Sequence, residues 1–220
     1  DKSDFIRELK ELEDKCDELA FEVTQTLIHC TTESLAGERA LRVASMLRVT
    51  AELEDIGDCC NRLVQLAHRK YRKNRTLPIE TQREIKIFSE QILDFMELYQ
   101  SHLSEGSGMP DIKKAEAIED RIDASRKSLR KNAVRRMKET ENLKAEMIYV
   151  DILNEMERIG NDSLNVVHAL NHVVWVVLIT FENIERFQIS IILQDDLSPI
   201  SRELFRGVTL SPVVQLCKIP

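Results

Sequence analysis

The chain has 220 residues, a formal net charge of −7, 43% hydrophobic but only 5% aromatic residues, and five prolines. That length can bury a real core in one or two domains, and the scarcity of aromatics and prolines argues against an all-β protein. The acidic balance argues against a nucleic-acid footprint, since neutralising phosphates needs a basic surface, and suits hard cations instead.

From Asp4 to about Cys30, apolar residues recur every three or four positions through Phe5, Leu9, Leu12, Cys16, Leu19, Val23 and Leu27. That spacing predicts one face of an amphipathic helix. Thr31, Thr32 and Glu33 are the first break, and a second helix is predicted from about Ser34 to Arg72 with a stripe of Val49, Leu53, Ile56, Cys60, Leu63 and Ala67. It ends in Arg69, Lys70, Arg72, Lys73 and Arg75 before Pro78. Cations suit the negative end of a helix dipole, and such a run can also contact an anionic membrane surface. A third helix is predicted from Ile79 to Leu103, followed by a Gly- and Pro-containing linker, SEGSGMP, over residues 104–110.

The chain then repeats itself. Residues 118–123, IEDRID, restate residues 12–17, LEDKCD, 106 positions on, and residues 154–162, NEMERIGND, restate residues 51–59, AELEDIGDC, 103 positions on. A copy of this kind points to a duplicated helical unit, with the fourth helix from Ile112 to about Met137 and the fifth from Leu143 to His172. The expected architecture is all-α: residues 1–103 as one repeat plus a connecting helix, 104–110 as linker, 111–172 as the second repeat, and 173–220 as an atypical tail. The tail opens with nine unbroken apolar or β-branched residues, VVWVVLITF at 173–181. They are too few to span a bilayer and read as a buried terminal segment or as a strand.

The five cysteines are odd in number and show no Cys-x-x-Cys spacing, so they read as reduced, core-filling thiols in a cytosolic compartment. No signal peptide opens the chain, and no apolar run reaches the roughly 18 residues of a membrane span. The sequence starts at Asp1, already inside a helical pattern, as a piece of a longer protein would.

The repeated segments also carry the chemistry. Residues four apart share a helix face, so Glu13 and Asp17, Glu54 and Asp58, and Glu119 and Asp123 are three pairs of adjacent acids. Each pair costs a few tenths of a kcal/mol in an isolated helix, and a bound cation turns that repulsion into affinity. By angle, Glu13 and Asp17 fall about 80–120° from their helix's stripe, and Glu54 and Asp58 about 140–180° from theirs. Both pairs therefore belong on the flank or outside of a bundle. Gly57 and Gly160, each costing about 1 kcal/mol inside a helix, stand at matched places and predict close helix approach. No Glu-x-x-His, phosphate loop or nucleophile elbow is present, so no enzyme is expected and the five histidines read as packing or surface residues.

The segments ELEDIGD and EMERIGN, each preceded by a helix bearing Glu-x-x-x-Asp, resemble the motif of the PhoU family of phosphate-uptake regulators across roughly residues 1–172. The resemblance implies tandem three-helix bundles with multinuclear metal on their surface, iron first, with zinc, manganese or magnesium as alternatives. Carried over, the metal residues are Glu13, Asp17, Glu54 and Asp58 in one cluster and Glu119, Asp123, Glu157 and Asn161 in the other. Asn161 stands where the motif has Asp, which weakens the second cluster; Asp162 is a neighbouring substitute. The family's opening helix has no counterpart before the first Glu-x-x-x-Asp. This implies the C-terminal cytoplasmic PhoU-like domain of a sodium/phosphate cotransporter, peripheral or tethered to a membrane. Its partner would be the transporter membrane domain or, for a free-standing regulator, the phosphate transporter and its sensor kinase. Nucleic acid is not expected as a partner, and homodimer formation is left open. The alternative is a helical scaffold or oligomerisation module whose acids are only solvated.

Overall fold

The computed structural model describes residues 2–29, 37–73, 77–104, 109–139 and 142–183. They form five helices and no strand: α1 (Lys2–His29), α2 (Glu38–Arg72), α3 (Ile79–Ser104), α4 (Ile112–Met137) and α5 (Leu143–Asn183). The expected break at Thr31–Glu33, Cys30, Cys217, linker residues 105–108 and the tail beyond 183 lie outside the described residues.

The helix ends follow local chemistry. Gly37, at φ 61, takes the left-handed turn that precedes α2, a conformation that favours glycine, so α2 starts at Glu38 rather than near Ser34. Pro78 precedes α3 and its carbonyl accepts the first helical bond, from the Gln82 amide at 3.0 Å. Asp111 caps α4 by accepting from the Lys114 amide at 3.1 Å. Residues 173–183, for which the sequence allows a strand, continue α5 as helix.

The most extensive helix contact is α2 against α5, with α1 packed on α2, α4 on α5, and α3 laid over α4 and α5. The core runs through Ile56, Leu63, Phe88, Ile92, Phe95, Tyr149, Leu153 and Met156, all 3% exposed or less. Burying each such side chain contributes about 1.5–3 kcal/mol. Among the described residues no helix covers α1 and α2 as α3 covers α4 and α5.

The central α2–α5 contact exchanges equivalent positions. Cys59 meets Asp162, 103 residues on. Arg62 reaches Glu155, while Asn165, the position 103 after Arg62, reaches Glu52, the position 103 before Glu155. A pair in which residue i meets the copy of j while the copy of i meets j is the mark of two-fold exchange. Positions related by the 103-residue offset therefore face one another across the contact of the two long helices.

Candidate metal centre

The first acidic cluster lies along the seam between α1 and α2. At its middle, the backbone of Gly57 approaches Cys16 so closely that a Cβ there would stand 3.3 Å from the sulfur. Glu13 and Asp17 flank Cys16 on α1, and Glu54 and Asp58 flank Gly57 on α2, so this close approach sets the four acids along one seam, two on each helix. Their combined field is felt at the Cys16 thiol, which burial first, then Asp17, Glu54, Glu13 and Asp58, push up to about 11.

These acids are half-buried, apart from the exposed Asp17, because α2 is held from two sides, by α1 and by α5. A single stripe with an outer face does not describe α2: Cys59, Val64 and Leu66 are buried beside Leu53, Ile56 and Leu63.

Mutual repulsion is visible in the carboxyls. Glu54 is raised above its ordinary value, by partial burial first and then by Asp58, Asp55 and Asp17, with Arg62 countering. Asp17 is raised by partial burial and by Asp58 and Asp14. Two groups already hold members of the set: Asn61 Nδ2 donates to Glu13 at 2.8 Å, and Arg62 Nη1 donates to Asp58 at 2.8 Å. The Arg62 guanidinium is shared, since its Nε donates to Glu155 at 2.8 Å and its Nη2 to Cys59 at 3.0 Å.

The second cluster lies along the equivalent seam between α4 and α5. A Cβ at Gly160 would stand 3.2 Å from Ile122, which sits between Glu119 and Asp123 as Cys16 sits between Glu13 and Asp17. Glu119 is raised by partial burial and then by Asp123, Asp120 and Glu157, with Lys127 countering.

Here the protein supplies its own cations. Arg126 Nη2 lies 3.3 Å from Glu157 and 3.8 Å from Asp123, and Lys127 makes a close ion pair with Asp123. In the first hairpin the corresponding positions are Ala20 and Phe21. Three acids thus stand with Arg126 and Lys127 in the second cluster, whereas in the first Arg62, shared with α5, pairs with Asp58. Asn161 is half-buried on α5 beside Gly160. Asp162 does not join this cluster: its carboxylate faces α2, 4.0 Å from the Cys59 sulfur. It is pushed up to about 6 by burial, Asp55 and Glu52, against the pull of Arg158 and Arg62.

The donors of the first cluster are all oxygens, as hard or borderline cations require, and their repulsion is what a cation relieves. Among the described residues no three His, Cys, Asp or Glu side chains are drawn up around one point; Asn61 holds Glu13 through Oε1 and Arg62 holds Asp58 through Oδ2, and each of these carboxylates has a second oxygen that can face a cation. Burial pushes the nearby thiols up, Cys59 to about 11 and Cys60 to about 12.

Arg62, Arg126, Lys127 and Glu155 were not among the residues singled out from the sequence. Arg62 and Lys127 follow an acid by four residues and Arg126 by three, the ordinary spacing of a helical ion pair; only Glu155 needed the fold to be found. Among the described residues no helix is long and apolar enough to cross a membrane. Comparison with protein-family models, curated proteins and solved structures finds no match to this chain.

Proposed function

We propose that the chain is a PhoU-like regulatory domain for phosphate uptake, acting beside a transporter on the cytoplasmic side of a membrane. The observation that carries this reading is the convergence of Glu13, Asp17, Glu54 and Asp58 on the α1–α2 seam around Cys16. The motif resemblance attaches that convergence to phosphate regulation and assigns the acids to a metal.

In this reading the metal is iron, zinc, manganese or magnesium, and when bound it supplies fixed positive charge, not redox or hydrolytic chemistry. Glu13 and Asp17 contribute from α1, Glu54 and Asp58 from α2, and the ion joins the two helices. The second cluster, largely offset by Arg126 and Lys127, acts as a structural ion-pair network. The partner is the transporter's membrane domain, or the phosphate transporter and sensor kinase if the regulator is free-standing. The same ion pairs favour a second reading, a metal-free helical scaffold.

Two measurements test the proposal. Metal analysis of purified protein is expected to find stoichiometric metal that the Glu54→Ala, Asp58→Ala double variant loses; absence of metal from the wild type under metal-replete conditions supports the scaffold. Phosphate uptake by cells carrying the double variant in place of the native chain is expected to lose its control by external phosphate, and unchanged uptake sinks the regulatory reading.

A further inference from the structure

One end of the molecule concentrates positive charge in an otherwise acidic chain. The last turn of α2, the start of α3, the last turns of α4 and the start of α5 meet there. Glu84 of α3 pairs with Arg136 of α4 at 3.2 Å, Arg136 pairs with Glu146 of α5 at 3.0 Å, and Tyr149 of α5 donates to Glu84 at 2.6 Å. Those bonds leave Glu84 and Glu146 occupied inside. On the surface of the same end stand Arg69 and Arg72 of α2, Arg83 of α3, Arg135 and Lys138 at the end of α4, and Lys144 of α5, all exposed. Glu80 and Glu139 are the exposed acids between them among the described residues.

Helix dipoles explain part of this set. Cations at the ends of α2 and α4 face the negative pole, which stabilises them. Lys144 stands in the first turn of α5, where the dipole favours acids instead, and Arg83 lies just beyond the first turn of α3. Both raise the positive charge density of this end, Lys144 against the preference of its own helix.

The second feature is apolar. Ile79 is 69% exposed, Met147 55%, Val134 48% and Leu143 47%. These side chains belong to three different helices, α3, α4 and α5, and stand among the cations at the same end. Long basic side chains reaching to phosphate level around short apolar side chains that dip below it is the chemistry of a peripheral membrane-binding face.

We propose that this end of the bundle is a docking surface for an anionic lipid bilayer. Basic charge matches the surface potential of acidic headgroups, and Ile79, Val134, Leu143 and Met147 enter the boundary between headgroups and acyl chains. A nucleic-acid backbone would take up the cations but leave the four apolar side chains in water. The inference does not depend on the metal reading, since none of the eight candidate metal residues lies at this end.

The test is sedimentation of the full chain with vesicles of phosphatidylcholine, with and without about one third phosphatidylglycerol. The expected result is binding to the anionic vesicles alone, reversed by high salt. Each cation near an anionic surface contributes about fivefold in partition, so an Arg135→Glu, Lys138→Glu, Lys144→Glu variant, which reverses three charges, is expected to lose at least about a hundredfold. A Leu143→Ser, Met147→Ser variant is expected to weaken binding several-fold. A Lys113→Glu, Lys114→Glu variant, altered at the far end of α4, is expected to bind as wild type. All these positions are exposed, and circular dichroism checks that each variant keeps its helicity. Equal binding to neutral vesicles, or unchanged binding by the triple variant, overturns the proposal. Capture by soluble polyglutamate as tight as by vesicles and indifferent to Leu143→Ser, Met147→Ser overturns it in favour of an acidic protein partner.

Discussion

Replacing Gly57 and Gly160 by alanine tests the packing of the two seams separately. In a helix interior the change from Gly to Ala contributes about 1 kcal/mol of stability from propensity alone, so both variants start with the same gain. They differ in what the new methyl meets. At Gly160 it meets Ile122 Cγ2 at 3.2 Å and Cδ1 at 3.5 Å, with Ile92 Cδ1 at 3.7 Å. Both isoleucines are 1% exposed or less and, being β-branched, have little rotamer freedom with which to yield. Overpacking of this kind costs about 1–3 kcal/mol, leaving Gly160→Ala neutral to about 2 kcal/mol less stable. At Gly57 the neighbour is the Cys16 sulfur at 3.3 Å, with its Cβ at 3.9 Å. A thiol turns about one torsion, and among the described residues no α3-like helix covers that seam from behind. Gly57→Ala is therefore expected to be neutral to about 1 kcal/mol more stable. Urea denaturation read by circular dichroism gives both values with one midpoint each. If Gly57→Ala proves as damaging as Gly160→Ala, or more so, the claim that the two seams differ in tightness is wrong.

Arg136 bridges Glu84 and Glu146, the latter 3% exposed. Arg136→Met strands both carboxylates and is expected to cost about 3 kcal/mol, near the lower bound for breaking a buried pair; a shift in the urea midpoint worth under 1 kcal/mol would show that the network is dispensable. Asp162, with its folded value pushed up to about 6, binds a proton more tightly folded than unfolded. Its effect is absent below its ordinary value near 3.8 and becomes a growing destabilisation as pH rises towards 6. Asp162→Asn is expected to stabilise at pH 7 by about 1 kcal/mol, discounted for partial exposure, and to flatten the stability profile between about pH 4 and 6. A profile that keeps its slope in the variant refutes the assignment.

The helices were readable because their causes are local. Ile112–Met137 lies between Pro110–Asp111 and the turn at Lys138, and the structure has that helix with those bounds. Gly57 and Gly160 were readable as close approaches because a glycine in a helix needs a reason, and each has a neighbour within 3.3 Å. The orientation of α2 was not readable from one stripe, because α2 carries apolar residues toward both α1 and α5 and its acids sit between two contacts. The pairing of α2 with α5 was hidden too. Arg62 with Glu155, and Asn165 with Glu52, join residues 93 and 113 positions apart, and no local spacing marks such a pair. What separates the two clusters, Arg126 and Lys127 against Ala20 and Phe21, was present in the sequence at ion-pair spacing, but it acquires meaning only once α4 and α5 place Glu157 beside Arg126.

The central claim is that the α1–α2 seam is a cation site and the α4–α5 seam is not. Its most direct test is titration of metal-stripped protein with Mn²⁺, followed by thermal unfolding and calorimetry, in three proteins: wild type, Glu54→Gln with Asp58→Asn, and Glu119→Gln with Asp123→Asn. The account predicts a Mn²⁺-dependent rise in melting temperature in the wild type, kept when Glu119 and Asp123 are changed and lost when Glu54 and Asp58 are changed. Loss in the second variant alone, or no rise in any of the three, contradicts it.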